Sequence, residues 1–311
     1  MVPSVLYYIG PYSVGLIDES SYQVAHLLSG SFAPFCSSEE GAELLPPLAL
    51  CLRLTDGEAQ LDELPLSDET SLPGESLQTI DFDWDEARCR ITFRGEGAHT
   101  IQIQPRDSRF TYRLQSRQQF CEASLRLPAG ASAEEVHFVV NNYLMLLYAF
   151  ATAPMGMLLT HASAVVYEGK AYLFLGKSGT GKSTHSRLWL HHIPGCYLLN
   201  DDNPLVQVED GVLTAFGSPW SGKTPCYRQE SHPLGGFVRL EQAPVNEIRQ
   251  LTGVEALAAL LPSCSLLRPD DVVLKGVMAT LSQLIRQVPV YHLRCLPDEA
   301  AARLSHQVLT H

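Results

Sequence analysis

One stretch of the chain, residues 176–183, restricts its architecture more than any other part. The stretch reads Gly-Lys-Ser-Gly-Thr-Gly-Lys-Ser and matches the phosphate-loop pattern G-x-x-x-x-G-K-[ST] at every fixed position. An apolar segment at residues 171–175 enters it, and a segment of helical character at residues 183–192 leaves it. Strand, loop and helix in this order are the context in which the pattern forms a phosphate site. The sequence therefore predicts an α/β unit built around this loop.

The residue types in the loop are those that a polyphosphate requires. Its glycines let backbone N–H groups turn toward phosphate oxygens without side-chain clashes, and the following helix adds its own free N–H groups. We expect Lys182 to contact the β- and γ-phosphates of a nucleoside triphosphate, and Ser183 to ligate Mg²⁺. The alternative, a glycine-rich turn with an exposed lysine, would not require Lys-Ser after the last glycine. The predicted nucleotide contacts are Gly176, Lys177, Ser178, Gly179, Thr180, Gly181, Lys182, Ser183 and Thr184.

An acidic pair, Asp201-Asp202, follows a short apolar segment at residues 196–199 that we predict to be a buried strand. Carboxylates in this place, after a phosphate loop, are typical of the second motif of nucleotide-binding proteins. One of them can hold Mg²⁺, and its neighbour can accept the proton of an attacking hydroxyl. The alternative is a turn rich in Asp and Asn after a strand, which occurs in proteins of any function.

Two further candidates lie outside these motifs. His161 stands just before a predicted strand, Ala162–Tyr167, although a lone histidine is more often a packed residue than a catalytic one. The glycine-containing loop at residues 217–228 could close over the site, with Lys223 stabilising the transferring phosphoryl group. In the alternative it is an ordinary surface loop whose Trp220 packs on the core. The histidines of the helix after the phosphate loop are expected at the surface: His185, His191 and His192.

Segment patterns divide the chain into two predicted domains, residues 1–150 and 151–311. The first is strand-rich, because short segments with alternating apolar and polar residues are separated by turn residues. It ends in a predicted helix at residues 132–150, with Ser132 as N-cap and Glu135 completing a capping box. In the second domain, apolar strands alternate with amphipathic helices. The predicted fold class is α/β, or α+β when the strand-rich N-terminal domain is included.

Composition narrows the functional classes. A net charge of −12 repels nucleic-acid phosphates and anionic membranes, so we predict neither as a partner. The eight cysteines include no C-x-x-C pair, which favours free thiols in a cytoplasmic protein over disulfides or zinc sites. The apolar run at residues 143–159 is interrupted by Pro154 and Gly156, as in a buried core helix followed by a turn. A homo-oligomer is compatible with these features.

The segment His161-Ala162-Ser163, the phosphate loop and Asn200-Asp201-Asp202 together resemble the catalytic domain of HPr kinase/phosphorylase. That family shares its fold with ATP-type phosphoenolpyruvate carboxykinase. The resemblance covers residues 158–208 well and the rest of the C-terminal half loosely. It implies a mixed-sheet P-loop kinase core that uses ATP and Mg²⁺. The residues that correspond to the family's catalytic, phosphate-binding and metal-binding positions are His161, Lys182, Ser183 and Asp201 or Asp202, with Asp202 the first choice for the metal.

The sequence therefore predicts an ATP- and Mg²⁺-dependent phosphotransferase that moves the γ-phosphoryl group to a hydroxyl of a small molecule, a peptide or a protein. The resemblance does not identify the acceptor, because the chain has Thr184-His185 where the family has a glutamate after the loop serine. The alternative is a non-catalytic nucleotide-binding sensor or assembly protein, which would have no need of a base. The catalytic candidates are Asp201, Asp202, His161, Lys182 and Lys223.

Overall fold

The computed structural model describes residues 3–36, 46–57, 78–83 and 86–310. The chain divides into two compact units, Met1–Ala151 and Thr152–His311. Both contain a large mixed sheet, so the fold is of the mixed α and β type.

The described residues of the first unit form an eight-stranded sheet in the order β1-β2-β3-β8-β7-β6-β5-β4. The β2–β3 and β3–β8 pairs are parallel, and the remaining neighbours are antiparallel. The strands are β1 (Val5–Ile9), β2 (Tyr12–Glu19), β3 (Leu48–Gly57), β4 (Thr79–Asp83), β5 (Ala87–Phe93), β6 (His99–Pro105), β7 (Tyr112–Arg117) and β8 (Glu122–Pro128). The helices are α1 (Val24–Leu27), α2 (Ser29–Phe32) and α3 (Ala133–Thr152).

Helix α3 begins as its sequence predicts and is held inside by a buried tyrosine. The Glu135 N–H donates to Ser132 Oγ (3.1 Å), which confirms the N-cap. The predicted reciprocal bond is replaced, because the Glu135 carboxylate accepts from Ser108. The Tyr143 hydroxyl donates to Tyr112 O (2.7 Å) and accepts from the Ile103 N–H (3.1 Å). The segment Ala133–Met155 is long and apolar enough for a membrane span, but 67% of its most apolar window is buried in the protein, as in a core helix.

Residues 152–310, all of which the structure describes, form a nine-stranded sheet. Its main order is β12-β10-β11-β15-β14-β13-β9. Outside this order, β17 pairs with the long strand β15, and β16 pairs with β17. The strands are β9 (Met157–Leu159), β10 (Ala162–Tyr167), β11 (Lys170–Leu175), β12 (Tyr197–Asp202), β13 (Leu205–Glu209), β14 (Val212–Phe216), β15 (Ser231–Gln242), β16 (Glu247–Leu251) and β17 (Val290–Cys295). The helices are α4 (Lys182–His192), α5 (Gly253–Leu260), α6 (Asp271–Gln287) and α7 (Glu299–Thr310).

The core beside the phosphate loop is built around Trp189 of α4. Its fully buried ring lies 5.6 Å from the Tyr172 ring and 5.4 Å from the Phe174 ring on the neighbouring strand, centroid to centroid. Its indole N–H donates to Ser305 Oγ of α7 (2.9 Å). Because aromatic burial of this kind is worth several kcal/mol, α4 is fixed against the sheet, and so is the end of the helix that adjoins the loop.

Most predicted elements of the second unit are confirmed to within about two residues, and two predictions are corrected. The strand predicted at residues 196–199 extends through the acidic pair, so Asp201 and Asp202 are the last residues of β12 rather than part of a following turn. The surface prediction for His185 is wrong, because this side chain is 3% exposed and its Nε2 lies 2.9 Å from Ser305 Oγ. The hairpin β13–β14 and the strand β16 were not predicted from the sequence.

Candidate functional site

The phosphate loop connects the end of β11 to the start of α4. Gly179 (φ 78°) and Gly181 (φ 107°) have left-handed backbone conformations that other residues rarely adopt. A Cβ at Gly179 would meet no atom within 4 Å, so the backbone angle, not crowding, requires glycine there. The first helical bond of α4 runs from the His185 N–H to Gly181 O (2.8 Å). The N–H groups of the preceding turn therefore have no partner within the helix and are available to an anion.

Lys182 lies inside the loop and is only 8% exposed. Its ammonium donates to Gly176 O (3.1 Å) and lies 2.7 Å from His161 Nε2. Burial lowers its pKa below the usual value of 10.5, and the negative charges of Asp202 and Asp201 oppose that change. An ammonium has donors only, so His161 Nε2 must accept this hydrogen bond.

The tautomer of His161 follows from this contact. If Nε2 accepts, the ring proton is on Nδ1, which lies 3.1 Å from Asp202 Oδ1. A continuous chain of contacts therefore runs from Lys182, which is hydrogen-bonded to His161, to Asp202, which lies 3.1 Å from the other ring nitrogen of His161. The pairing register produces it, because Ala162 of β10, the residue after His161, is opposite both Leu175 of β11 and Asp202.

The two carboxylates of the acidic pair have different surroundings. Asp202 has a positive φ of 142°, which is uncommon for a residue with a side chain, and its Oδ2 accepts from Asn203 Nδ2 (2.7 Å). Asp201 is 3% exposed, and its Oδ1 is buried without a hydrogen-bond partner among the described residues. An unpaired buried carboxylate oxygen is costly. A cation or a hydrogen-bond donor at this oxygen would remove that cost.

The loop at residues 217–228 supports the acidic pair from one side. Gly222 donates its N–H to Asp201 O, and a Cβ at Gly222 would lie 3.0 Å from that oxygen and 3.1 Å from the Cβ of Asp202. Trp220 is 3% exposed, which agrees with the alternative in which it packs on the core. Lys223 is exposed next to Gly222 and forms no ion pair with the described residues. The glycine of this loop therefore permits close packing against the site.

Gln242, a residue of the site, carried no sequence signal. At the end of β15, it donates from Nε2 to Gly179 O (3.2 Å) and Thr180 O (3.4 Å) and so braces the phosphate loop. Asn200, which the sequence offered only as part of the motif Asn200-Asp201-Asp202, donates to Trp220 O (3.1 Å) and accepts from the Asn203 N–H (2.9 Å), which ties the acidic pair to the loop beside it. The contacts of Gln242 with the phosphate loop and of Asn200 with Trp220 join residues far apart in the chain, and no short motif contains them.

Two grooves border the phosphate loop. One, of about 780 Å³, is lined by His161, the first half of the loop and residues of β15. The other, of about 690 Å³, is lined by the second half of the loop, the first turns of α4 and the ends of β15 and β17. The described residues contain no cluster of three or more His, Cys, Asp or Glu that could hold a metal ion.

No family model matches the chain, and no curated protein matches it either. Among solved structures, the HPr(Ser) kinase/phosphatase from Coxiella burnetii is similar to it at 14% sequence identity and a TM-score of 0.29. The similarity covers 49% of this chain and 99% of that one.

Proposed function

We propose that the second unit is an ATP- and Mg²⁺-dependent kinase with a P-loop core of the HPr kinase type, which phosphorylates a hydroxyl group. The observation that carries this proposal is the chain of contacts from Lys182 through His161 to Asp202. It connects a residue that would hold phosphates to a carboxylate at the end of β12. A nucleotide-binding module without transfer would have no use for such a chain.

The residues of the site fit a magnesium nucleotide. Mg²⁺ prefers oxygen ligands and in kinases is held by one or two protein groups together with phosphates. Ser183, which is half-buried in the first turn of α4, and Asp202 supply such oxygens. The unpaired Oδ1 of Asp201 is a buried site for positive charge. When bound, Mg²⁺ would neutralise charge on the phosphate oxygens.

The groups of the chain would divide the work of transfer between them. Lys182 and the loop amides hold the β- and γ-phosphates in place. Asp201 accepts the proton of the acceptor hydroxyl, whose oxygen forms the new bond to the γ-phosphorus. The bond from that phosphorus to the bridging oxygen of ADP breaks, and ADP leaves with the electron pair. His161, held by Asp202, positions the transferring group, and Lys223 adds positive charge at the entrance. Most of the rate gain comes from positioning and charge stabilisation.

The described structure is compatible with a reducing compartment. All eight cysteines are free, which agrees with the proposed cytoplasmic location of an ATP-using enzyme.

The proposal is tested with three single variants of the full chain. In Asp201→Asn and Asp202→Asn we expect the affinity for ATP to stay within about threefold, whereas ATP turnover falls at least about a hundredfold, because proton acceptance, metal binding and orientation are lost. Asp210→Asn, in the exposed turn between β13 and β14, is the matched control and should change neither. Binding is measured by calorimetry, and turnover by release or transfer of labelled γ-phosphate.

Each possible outcome separates the alternatives. Absence of ATP binding by the wild-type chain, or normal turnover by both site variants, refutes the kinase mechanism. Binding of ATP with no hydrolysis, and no transfer to any hydroxyl compound, favours the non-catalytic sensor.

A further inference from the structure

The two grooves beside the phosphate loop have different chemical surroundings. The groove of about 780 Å³, called here the His161 groove, is lined by His161, Lys177, Arg239, Glu241 and Ser263, among others. The groove of about 690 Å³ is lined by Thr184, His185 and several apolar side chains, but not by His161. Of these two grooves, only the His161 groove is bordered by His161, whose Nδ1 lies 3.1 Å from Asp202 Oδ1 and which is proposed to position the transferring group.

Arg239 reaches this groove because of the strand register. It lies opposite Leu175, the last residue of β11 before the phosphate loop. Its neighbours Val238 and Leu240 are buried in the core that packs against α4, so alternation along β15 places Arg239 and Glu241 on the opposite face. The guanidinium is therefore held on a rigid strand beside the start of the loop.

Two cationic side chains of the His161 groove are not paired with a carboxylate in the described part of the chain. Arg239 and Lys177 are exposed, and neither forms an ion pair with the described residues. The carboxylate of Glu241 forms an ion pair with Arg294, whose Nε lies 3.5 Å away. In a chain of net charge −12, a groove with two free cations is a local exception that attracts anions.

We propose that the His161 groove binds the phosphoryl acceptor, and that the acceptor is a small alcohol with a carboxylate or phosphate group bound by Arg239. This inference rests on the proposed function. The groove has the volume of a typical small-molecule site. A guanidinium binds either anion through two parallel hydrogen bonds, which also fixes orientation. Arg239 takes no part in the bond changes and determines which alcohol is held.

The inference is tested by binding to the full chain, with glycerol 3-phosphate and glycerate as anionic probes and glycerol as their uncharged match. Calorimetry is done with and without a saturating non-hydrolysable ATP analogue and Mg²⁺. We expect both anions to bind at millimolar concentration with the analogue present, and glycerol not to bind. Arg239→Gln should weaken anion binding by about tenfold to a hundredfold, as expected for loss of a charge-assisted pair. Affinity for the ATP analogue should stay within about twofold.

Lys275→Gln is the control, because Lys275 lies on α6 with a side chain that is 79% exposed. It should leave binding of both anions unchanged. The inference is overturned if neither anion binds, if Arg239→Gln binds them as the wild type does, or if the ATP analogue displaces them, which would place them in the phosphate loop. If the ATP analogue itself does not bind but the anions still bind through Arg239, the kinase proposal fails and the anion site stands.

Discussion

The variant Lys182→Met tests whether Lys182 binds phosphate or only holds the loop together. Lys182 is 8% exposed, and both of its hydrogen-bond partners are uncharged, the carbonyl of Gly176 and the ring of His161. A buried charge held in this way destabilises the free protein, and it is retained where a ligand of opposite charge uses it. Methionine has a similar length and no charge, so the variant removes the burial cost together with the hydrogen bonds.

The expected changes in stability and affinity differ strongly in size. Because the pKa of Lys182 is lowered, its charge is unfavourable in the folded protein, and methionine removes that cost. The loss of two hydrogen bonds from an ionised donor costs about 1.5–3 kcal/mol each. These contributions oppose each other, so the free energy of unfolding without nucleotide should fall by less than about 2 kcal/mol. Two charge-assisted bonds to phosphate are worth about 3–6 kcal/mol together, which corresponds to at least about a hundredfold loss in affinity for ATP.

The pH dependence of stability gives a second measurement for the same variant. The pKa of Lys182 is lower in the folded protein than its usual 10.5, because burial disfavours the charged form. Between the lowered pKa and 10.5 the unfolded chain binds more protons, so this lysine makes stability rise with pH in that window. The Met variant lacks that contribution. The unfolding free energy of the wild type should therefore rise relative to that of the variant as the pH approaches 10.5.

The assays are thermal unfolding without nucleotide and calorimetry with ATP and Mg²⁺. A change of 1 kcal/mol moves the Tm of a unit of this size by about 2–4 °C. Lys275→Met on the exposed face of α6 is the control and should change neither quantity. A fall of more than about 3 kcal/mol in stability with unchanged affinity for ATP would show that Lys182 holds the loop together and does not bind phosphate.

Three further predictions concern stability. Burial lowers the pKa of His185 to about 4. The free energy of unfolding of the wild type should therefore fall by up to about 1.4 kcal/mol per pH unit as the pH falls from 6.5 toward 4. His185→Gln should flatten this slope, as measured by denaturant unfolding at several pH values. Gly217→Ala would place a Cβ 2.1 Å from Arg228 O and should destabilise the protein by about 1–3 kcal/mol. Gly30→Ala is the control and should have little effect, because no atom of the described residues lies within 4 Å of a Cβ at that position. Equal losses of stability in chemical denaturation would contradict this packing argument. Asn200→Ala leaves buried carbonyls without donors and should cost about 1–3 kcal/mol and lower ATP turnover, as measured by unfolding and by labelled phosphate release.

Sequence reasoning was most accurate where structure is local. The strand Ala162–Tyr167 was predicted to the residue, and helix α4 to within one residue at each end. Periodicity, caps and glycine angles act over a few neighbours, so the sequence contains them directly. His185 was placed wrongly because it lies on a polar first turn of α4, and only the packing of α7 beside that helix buries it.

The residues of the candidate site lie far apart in the chain, so no single sequence motif contains them together. The sequence singled out His161, Lys182 and Asp202 one by one, and their roles remain predictions. Their contacts follow from the strand order β12-β10-β11 and its register. The same holds for Gln242, whose side chain reaches the phosphate loop from β15.

The sequence by itself therefore determined the phosphate loop, the elements on either side of it and the kinds of side chain that surround it, because these depend on neighbouring residues. Only the tertiary structure decided the proton positions of His161, the unpaired oxygen of Asp201 and the free guanidinium of Arg239 in the groove. Each of these depends on which strands pair and on what is buried between them. Pairing and burial are set by the free energy of the whole packed unit and by no single segment.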